Sequence, residues 1–302
     1  MKSPPFRVAF ATYAAQPALT EDDAVAARAL ESRGVRVDAV PWDALLDPSA
    51  YDAIVLRSCW DYFQRPAEFF AWLDRVERAG VRLLNPPALV RWNARKTYLA
   101  ELEARGVAVV PTAWAMPGDA ATLAGVLAGR GWGDAVVKPV VSAGGFETWR
   151  TSPADAPAHE ARFAALRDRS GAMVQPFMAE IERGGEWSLL YYGGRFSHAV
   201  RKRARSGDFR VQPQYGGTAV ADSAPPGVLD DANRAVAALP APVLYARVDG
   251  VEVDGRLLLM ELEATEPSLF FAEEPAAAER FASALLAELA SSAPLLEEPC
   301  RF

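Results

Sequence analysis

Residues 243–271 leave this chain few options. Two apolar runs flank Asp254-Gly255, a pair that favours the tight turn of a β-hairpin. The outgoing run is Val243 to Asp249, and the return run is Arg256 to Glu263. Alternation at the end of the return run sends Met260 and Leu262 to one face and Glu261 and Glu263 to the other. A hairpin can then bring Asp249 up to those two carboxylates. Such a cluster repels itself unless a cation neutralises it. Clustered hard oxygen ligands suit Mg²⁺ that also holds a substrate phosphate. A solvated charged face on an edge hairpin is the competing reading.

Upstream, short apolar strands alternate with amphipathic helices. Arg7 to Tyr13, Val35 to Val40, Ala53 to Arg57 and Val81 to Leu84 read as strands. Thr20 opens a helix that runs to about Ser32, with Gly34 as its stop. Pro66 opens a second helix, with Phe69, Phe70, Trp72, Leu73 and Val76 at helical spacing. This alternation predicts an open parallel sheet, ending near Leu89. Ligands of such sheets bind at the carboxyl ends of the strands. There the sequence has Arg57-Ser58-Cys59-Trp60-Asp61-Tyr62. It reads either as a substrate wall with Arg57 holding a carboxylate, or as a loop with packed aromatics.

The middle of the chain offers cations and glycines. Asn93 is expected to cap a helix that carries Lys96 in its first turn, where a bound anion would offset the helix dipole. Val107 to Trp114 reads as a strand, and residues 119–128 as a helix. A further strand, Ala135 to Pro139, carries Lys138 and leads into Ser142-Ala143-Gly144-Gly145. Small residues let backbone N–H groups approach phosphate, although a plain hairpin has the same composition. No Gly-Lys-Ser/Thr closes the loop, so it is not a Walker loop. Ala172 to Met178 and the segment from Gly184 through Glu186 are expected as strands, as is Phe196 to Val200. Arg201, Lys202, Arg203, Arg205 and Arg210 put five cations within ten residues. That run is too short and isolated for a nucleic-acid surface; a solvated loop or a phosphate site remains. Helices are expected over about Val228 to Leu239 and Pro275 to Ala290, with a frayed tail beyond.

Taken in order, these segments resemble the ATP-grasp superfamily. Arg-Val-Asp ending at Asp249, then Glu261-x-Glu263, is similar to its metal-binding end, where most members have Asn in place of Glu263. Lys96, Lys138 and the glycine loop follow the order of its lid. Gly207-Asp208-Phe209-Arg210, closed by Gly216-Gly217, resembles the catalytic loop of the glutathione-synthetase and ribosomal-modification branch, with Gln212 where that branch has Asn. Arg57-Ser-x-Trp-Asp-Tyr62, Trp92-Asn-x-x-Lys-x-Tyr-Leu99 and Glu266-Pro-Ser-Leu-Phe-Phe271 resemble a smaller group, like the cyclo-ligase of cycloserine biosynthesis.

The resemblance implies an α/β chain with an α+β lid: an N-terminal open parallel sheet over residues 1–89, a lid over 90–178, and a C-terminal antiparallel sheet over 179–302. It implies ATP and Mg²⁺. Lys96, Lys138, Ser142, Ala143, Gly144, Gly145 and Arg247 would contact ATP. Gln175, Pro176, Phe177 and Met178 would run along adenine, and Glu186 would hold the ribose. Asp249, Glu261 and Glu263 would hold the metal. Arg210, Arg203 and Lys138 would serve catalysis, and Arg57, Ser58, Trp60, Asp61 and Tyr62 the substrate. The implied activity is ligation of a small amino-acid-like carboxylate to nitrogen through an acyl phosphate, intramolecular in a cyclo-ligase. A small-molecule kinase and a nucleotide-binding module without chemistry are the alternatives. Homo-oligomers occur in the superfamily.

Composition narrows the partners. A net charge of −7 argues against nucleic acid and anionic membranes. Cys59 and Cys300 lack metal spacing, which fits free thiols in the cytoplasm. Arg7 interrupts the only early apolar run, so neither a signal peptide nor a membrane span is expected.

Overall fold

Val8 and Phe10 point to one side of the first strand and Ala9 and Ala11 to the other, and all four are fully buried. A strand buried on both faces belongs inside a covered parallel sheet. The computed structural model, which describes residues 6–45 and 47–291, builds that sheet from β1 (Arg7–Thr12), β2 (Arg36–Pro41), β3 (Ala53–Leu56) and β4 (Arg82–Leu84). The order is β2-β1-β3-β4, with every pairing parallel. Helix α1 (Glu21–Glu31) begins where the Thr20 hydroxyl accepts the Asp23 N–H at 3.0 Å. It packs on the Val8/Phe10 face together with the last helix of the described residues, Ala277–Ala290, through Leu30, Phe281 and Leu285. Helix α2 (Pro66–Arg78) covers the Ala9/Ala11 face with Phe69, Trp72 and Leu73.

Two short helices follow, α3 (Pro87–Asn93) and α4 (Tyr98–Ala104). The expected single helix capped by Asn93 is thereby corrected. Asn93 ends α3, and its buried amide is used elsewhere, donating to the Leu262 carbonyl and accepting from the Ala264 N–H, both at 2.7 Å. Lys96 consequently lies in the turn between the helices. The second sheet is antiparallel, in the order β5-β8-β6-β7: β5 (Ala113–Ala115), β6 (Ala135–Pro139), β7 (Trp149–Thr151) and β8 (Ala172–Pro176). Helices α5 (Leu123–Arg130) and α6 (Ala156–Ser170) cover one face of it. The strand expected over 107–114 shrinks to β5 because Pro111 has no N–H to give a ladder. Residues 108–110 instead run beside Leu259, which donates to the Ala108 carbonyl and accepts from the Val110 N–H.

The third sheet has the order β11-β10-β9-β12-β13. Its strands are β9 (Glu186–Tyr192), β10 (Arg195–Arg203), β11 (Thr218–Ala221), β12 (Tyr245–Val253) and β13 (Arg256–Glu263). The short α7 (Glu180–Gly184) precedes it, and α8 (Pro226–Ala237) packs on it. The Ala277–Ala290 helix is α9. The fold is therefore α/β, with one parallel and two antiparallel sheets. No helix among the described residues is long and apolar enough to cross a membrane. Cys59 is buried with a free thiol; Cys300 and the tail expected to fray lie outside the described residues.

The hairpin forms as expected, with one correction. Asp249 pairs with Glu261, but Gly250 pairs with Leu259, so Met260 is an extra residue in β13. Such a bulge shifts the alternation by one. Met260 therefore joins Glu261 and Glu263 on the open side, while Leu257, Leu259 and Leu262 stay in the core. Gly250 makes room for the bulge, since a Cβ there would sit 2.4 Å from the Leu258 carbonyl oxygen. Gly250→Ala is expected to destabilise the fold by about 1–3 kcal/mol through overpacking, read as a lowered urea midpoint with an unchanged slope. An unaltered midpoint would show that the bulge relaxes freely.

Candidate active site

The open face of the third sheet and the second sheet enclose a cleft of about 690 Å³. β12 and β13 place the acidic trio on its floor. Asp249 stands directly opposite Glu261, and Arg247 opposite Glu263. One oxygen from each of Asp249, Glu261 and Glu263 lies within 4.8 Å of the others. Cations hold the trio in place. The Arg247 guanidinium meets Asp249 at 2.9–3.0 Å and Glu263 at 2.6 Å. Lys202 lies 3.4 Å from Asp249, and Lys96 pairs with Glu261.

These contacts set the charges. Burial alone would lift the Asp249 carboxyl, but Arg247 and Lys202 outweigh it and hold it at about 2. Burial pushes Glu263 up to about 8, against the pull of Arg247 and with added repulsion from Glu261 and Asp249. A divalent cation among the three oxygens would remove that repulsion, and hard carboxylate donors at this spacing fit Mg²⁺. On the observed donor set the trio can therefore take the ion.

Around the floor, the expected nucleotide residues come together. Lys96, Lys138, Ser142, Ala143, Gly144, Gly145, Gln175, Pro176, Phe177, Met178, Glu186 and Arg247 all line this one cleft. Lys96 is held by the Ser142 carbonyl at 3.1 Å as well as by Glu261. Lys138 donates to the Gln175 side chain at 2.9 Å, and burial lowers its pKa. Gly144 and Gly145 have φ of +58° and +73°, a conformation that suits glycine. Among residues 175–178, the Phe177 N–H already goes to the Asp134 carbonyl at 2.9 Å. The Met178 N–H donates to no acceptor among the described residues, which leaves it for a ligand edge.

Other expectations need correction. Arg57 does not face the cleft. It is 2% exposed, pairs with buried Asp23 at 2.8 Å and donates to the Pro267 carbonyl at 2.9 Å. Ser58 is buried beside it. Asp61 accepts from the Trp42 indole and Arg65. Tyr62 reaches only a small side cavity. Of that motif, Trp60 alone lines the main cleft, with Tyr13, Gln16 and Phe63 as further wall residues. Arg203 points away from the cleft because strand alternation turns its neighbour Lys202 inward. Lys202 is buried and meets Glu186 at 2.5 Å. Glu186 pairs with Lys202 across β9 and β10 only because Ser197 is an extra residue in β10; counting back through the Gly193-Gly194 turn would have given Arg201 instead. Arg210 does line the cleft, braced by Asp208 at 2.8 Å and lying 3.7 Å over the Tyr215 ring. Gln212 lines it too, and its buried carbonyl oxygen lacks a partner among the described residues. Gln214 donates to the Gly144 carbonyl at 2.9 Å, so the two loops already touch.

The geometry has counterparts among known proteins. The profile of the D-cycloserine synthetase DcsG N-terminal domain matches residues 8–85. The cycloserine biosynthesis protein DcsG of Streptomyces lavendulae is 35% identical over 278 residues, covering 85% of this chain and 90% of that protein. The crystal structure of D-cycloserine synthetase DcsG superposes with a TM-score of 0.84 at 33% identity, covering 94% of this chain and 99% of that one. An ATP-grasp ligase, PsnB, complexed with a phosphomimetic variant of its minimal precursor, Mg and ADP, superposes with a TM-score of 0.66 at 19% identity. It covers 95% of this chain and 99% of that chain, a likeness of fold alone.

Proposed function

The chain belongs to the ATP-grasp ligases, in the family of the D-cycloserine synthetase DcsG, and is on that ground an ADP-forming carbon–nitrogen ligase; we propose that it activates a small amino-acid-like carboxylate as an acyl phosphate and joins it to nitrogen. On this reading residues 1–89 form the substrate-facing unit, 90–178 the lid and 179–302 the catalytic unit. The observation that carries it is the convergence of the acidic trio, Lys96, Lys138, Lys202, Arg210 and the glycine loop on one cleft.

Each residue then has a task. The Met178 N–H meets the adenine edge, and Glu186 takes the ribose hydroxyls. Glycine-loop amides, Lys96, Lys138, Lys202 and Arg210 spread the charge of the moving phosphoryl group. Asp249, Glu261 and Glu263 would hold Mg²⁺, which supplies charge neutralisation on the phosphates. The acceptor carboxylate attacks the terminal phosphorus and ADP departs with the bridging oxygen. A nitrogen then attacks the acyl carbon and phosphate leaves. The Gly144–Gln214 contact and the neighbouring Phe63 and Phe146 rings, 5.2 Å apart, support a loop that keeps water off the activated carboxyl. In a cyclising reaction the nitrogen belongs to the same molecule.

The test is phosphate release from Mg·ATP across amino acids and O-ureidoserine isomers, with mass spectrometry of the products. Acid-dependent release with a dehydrated or condensed product is expected. Glu261→Gln, which removes one trio charge, should lower that rate about 100-fold or more. A stable phosphoester would point to a kinase. Tight ATP binding without any acceptor effect would remove the ligase reading.

A further inference from the structure

Beyond β13, the loop at residues 266–268 presents a carboxylate that no nucleotide or metal role uses. Glu266 is 5% exposed and lines the cleft. It stands outside the trio whose oxygens approach within 4.8 Å. Among the described residues, each other carboxylate lining the cleft has a cation in reach. Glu186 has Lys202, Asp249 and Glu263 share Arg247, and Glu261 has Lys96. Among the described residues the Glu266 carboxylate has no cationic partner within 4.0 Å and accepts no hydrogen bond, although Arg247 acts on it from farther off.

Its position is nevertheless rigidly defined. Three side chains grip three consecutive carbonyls: the Trp60 indole donates to Glu266 at 3.3 Å, Arg57 to Pro267 at 2.9 Å and Arg247 to Ser268 at 3.1 Å. Trp60 and Arg57 follow β3 at the carboxyl end of the parallel sheet, and Arg247 lies on β12. Burying a carboxylate without a partner costs free energy. A loop fixed by three donors holds that cost in place, at the junction between the aromatic wall and the metal trio. A small cation bound there would relieve it.

We infer that Glu266 receives the protonated amino group of the acceptor, so that the enzyme selects carboxylic acids that also carry an ammonium group. This rests on the carboxylate-activating reading above and names the residue that reads the substrate's amino group. The test is equilibrium binding to the full chain loaded with Mg²⁺ and a non-hydrolysable ATP analogue. The probes are D- and L-serine, O-ureidoserine, and counterparts lacking the amino group, 3-hydroxypropanoate and 3-(ureidooxy)propanoate. At least one amino acid should bind, and its deamino counterpart should bind at least about 10-fold more weakly. In Glu266→Gln, affinity for that amino acid should fall roughly 10- to 100-fold, to the level of the deamino acid, whose own affinity should not move. Unchanged nucleotide affinity would show that the variant folds, and the wild-type comparison stands without it. Equal binding of the deamino acids, full retention by Glu266→Gln, or no amino acid bound would each overturn the assignment. Failure of the ligase reading looks different: the binding pattern persists, but no phosphate or condensed product appears.

Discussion

Asp249→Asn is expected to lower turnover roughly 100- to 1,000-fold and, independently, to cost about 1.5–3 kcal/mol of folding free energy. The two losses have different origins. Turnover falls because one carboxylate of the trio no longer bears charge. Stability falls because Asp249 is buried and anchors Arg247, Lys202 and the Ser188 hydroxyl together. Neutralising it takes one of two carboxylates from each of two buried cations, leaving Arg247 with Glu263 and Lys202 with Glu186. Glu261 is more open, at 31% side-chain exposure, and among the described residues it pairs with Lys96 alone. Glu261→Gln should therefore show the kinetic loss with a smaller stability loss, borne by Lys96 alone, which keeps the Ser142 carbonyl. Urea midpoints at constant slope, measured beside kcat for both variants, make the comparison. Two equal midpoint shifts would mean that the floor does not depend on Asp249 as its hub.

The second large effect is at Arg57. Arg57→Met keeps the bulk but removes the charge, leaving Asp23 buried and unpaired and releasing the Pro267 carbonyl. The expected cost is about 3–5 kcal/mol. Adding Asp23→Asn should restore part of it, because the stranded carboxylate is then gone. A substrate-binding arginine would behave in the opposite way, with a raised KM and an unchanged urea midpoint. That outcome would return Arg57 to the role its place after an apolar strand suggested.

The contrast between Arg57 and the trio shows what a sequence reveals. Asp249, Glu261 and Glu263 were legible because a turn signal and a two-residue period relate neighbours within one hairpin. Arg57 was not, since Asp23 and Pro267 lie 34 and 210 residues away. The bulge at Met260 leaves no mark in composition, although it decides which side chains reach the cleft. Asn93 carries the chemistry of a helix cap, and it was drawn instead to the free edge of β13, where the Leu262 carbonyl and Ala264 N–H needed partners. Lys202 was hidden in a basic run whose members face alternately in and out. The parallel direction of the first sheet, by contrast, followed from strand–helix alternation, because parallel strands need covered crossovers.

The grip of Trp60 and Arg57 on residues 266–267 has a consequence for evolution and engineering. The first sheet does not merely add a wall beside a finished catalytic unit; it shapes the loop that presents Glu266. Residues 57–60 and 266–268 are therefore a single structural part, split across the chain by more than two hundred positions. Chimeras that exchange the N-terminal unit between related ligases should keep their nucleotide chemistry. They should switch acceptor preference only when both pieces travel together.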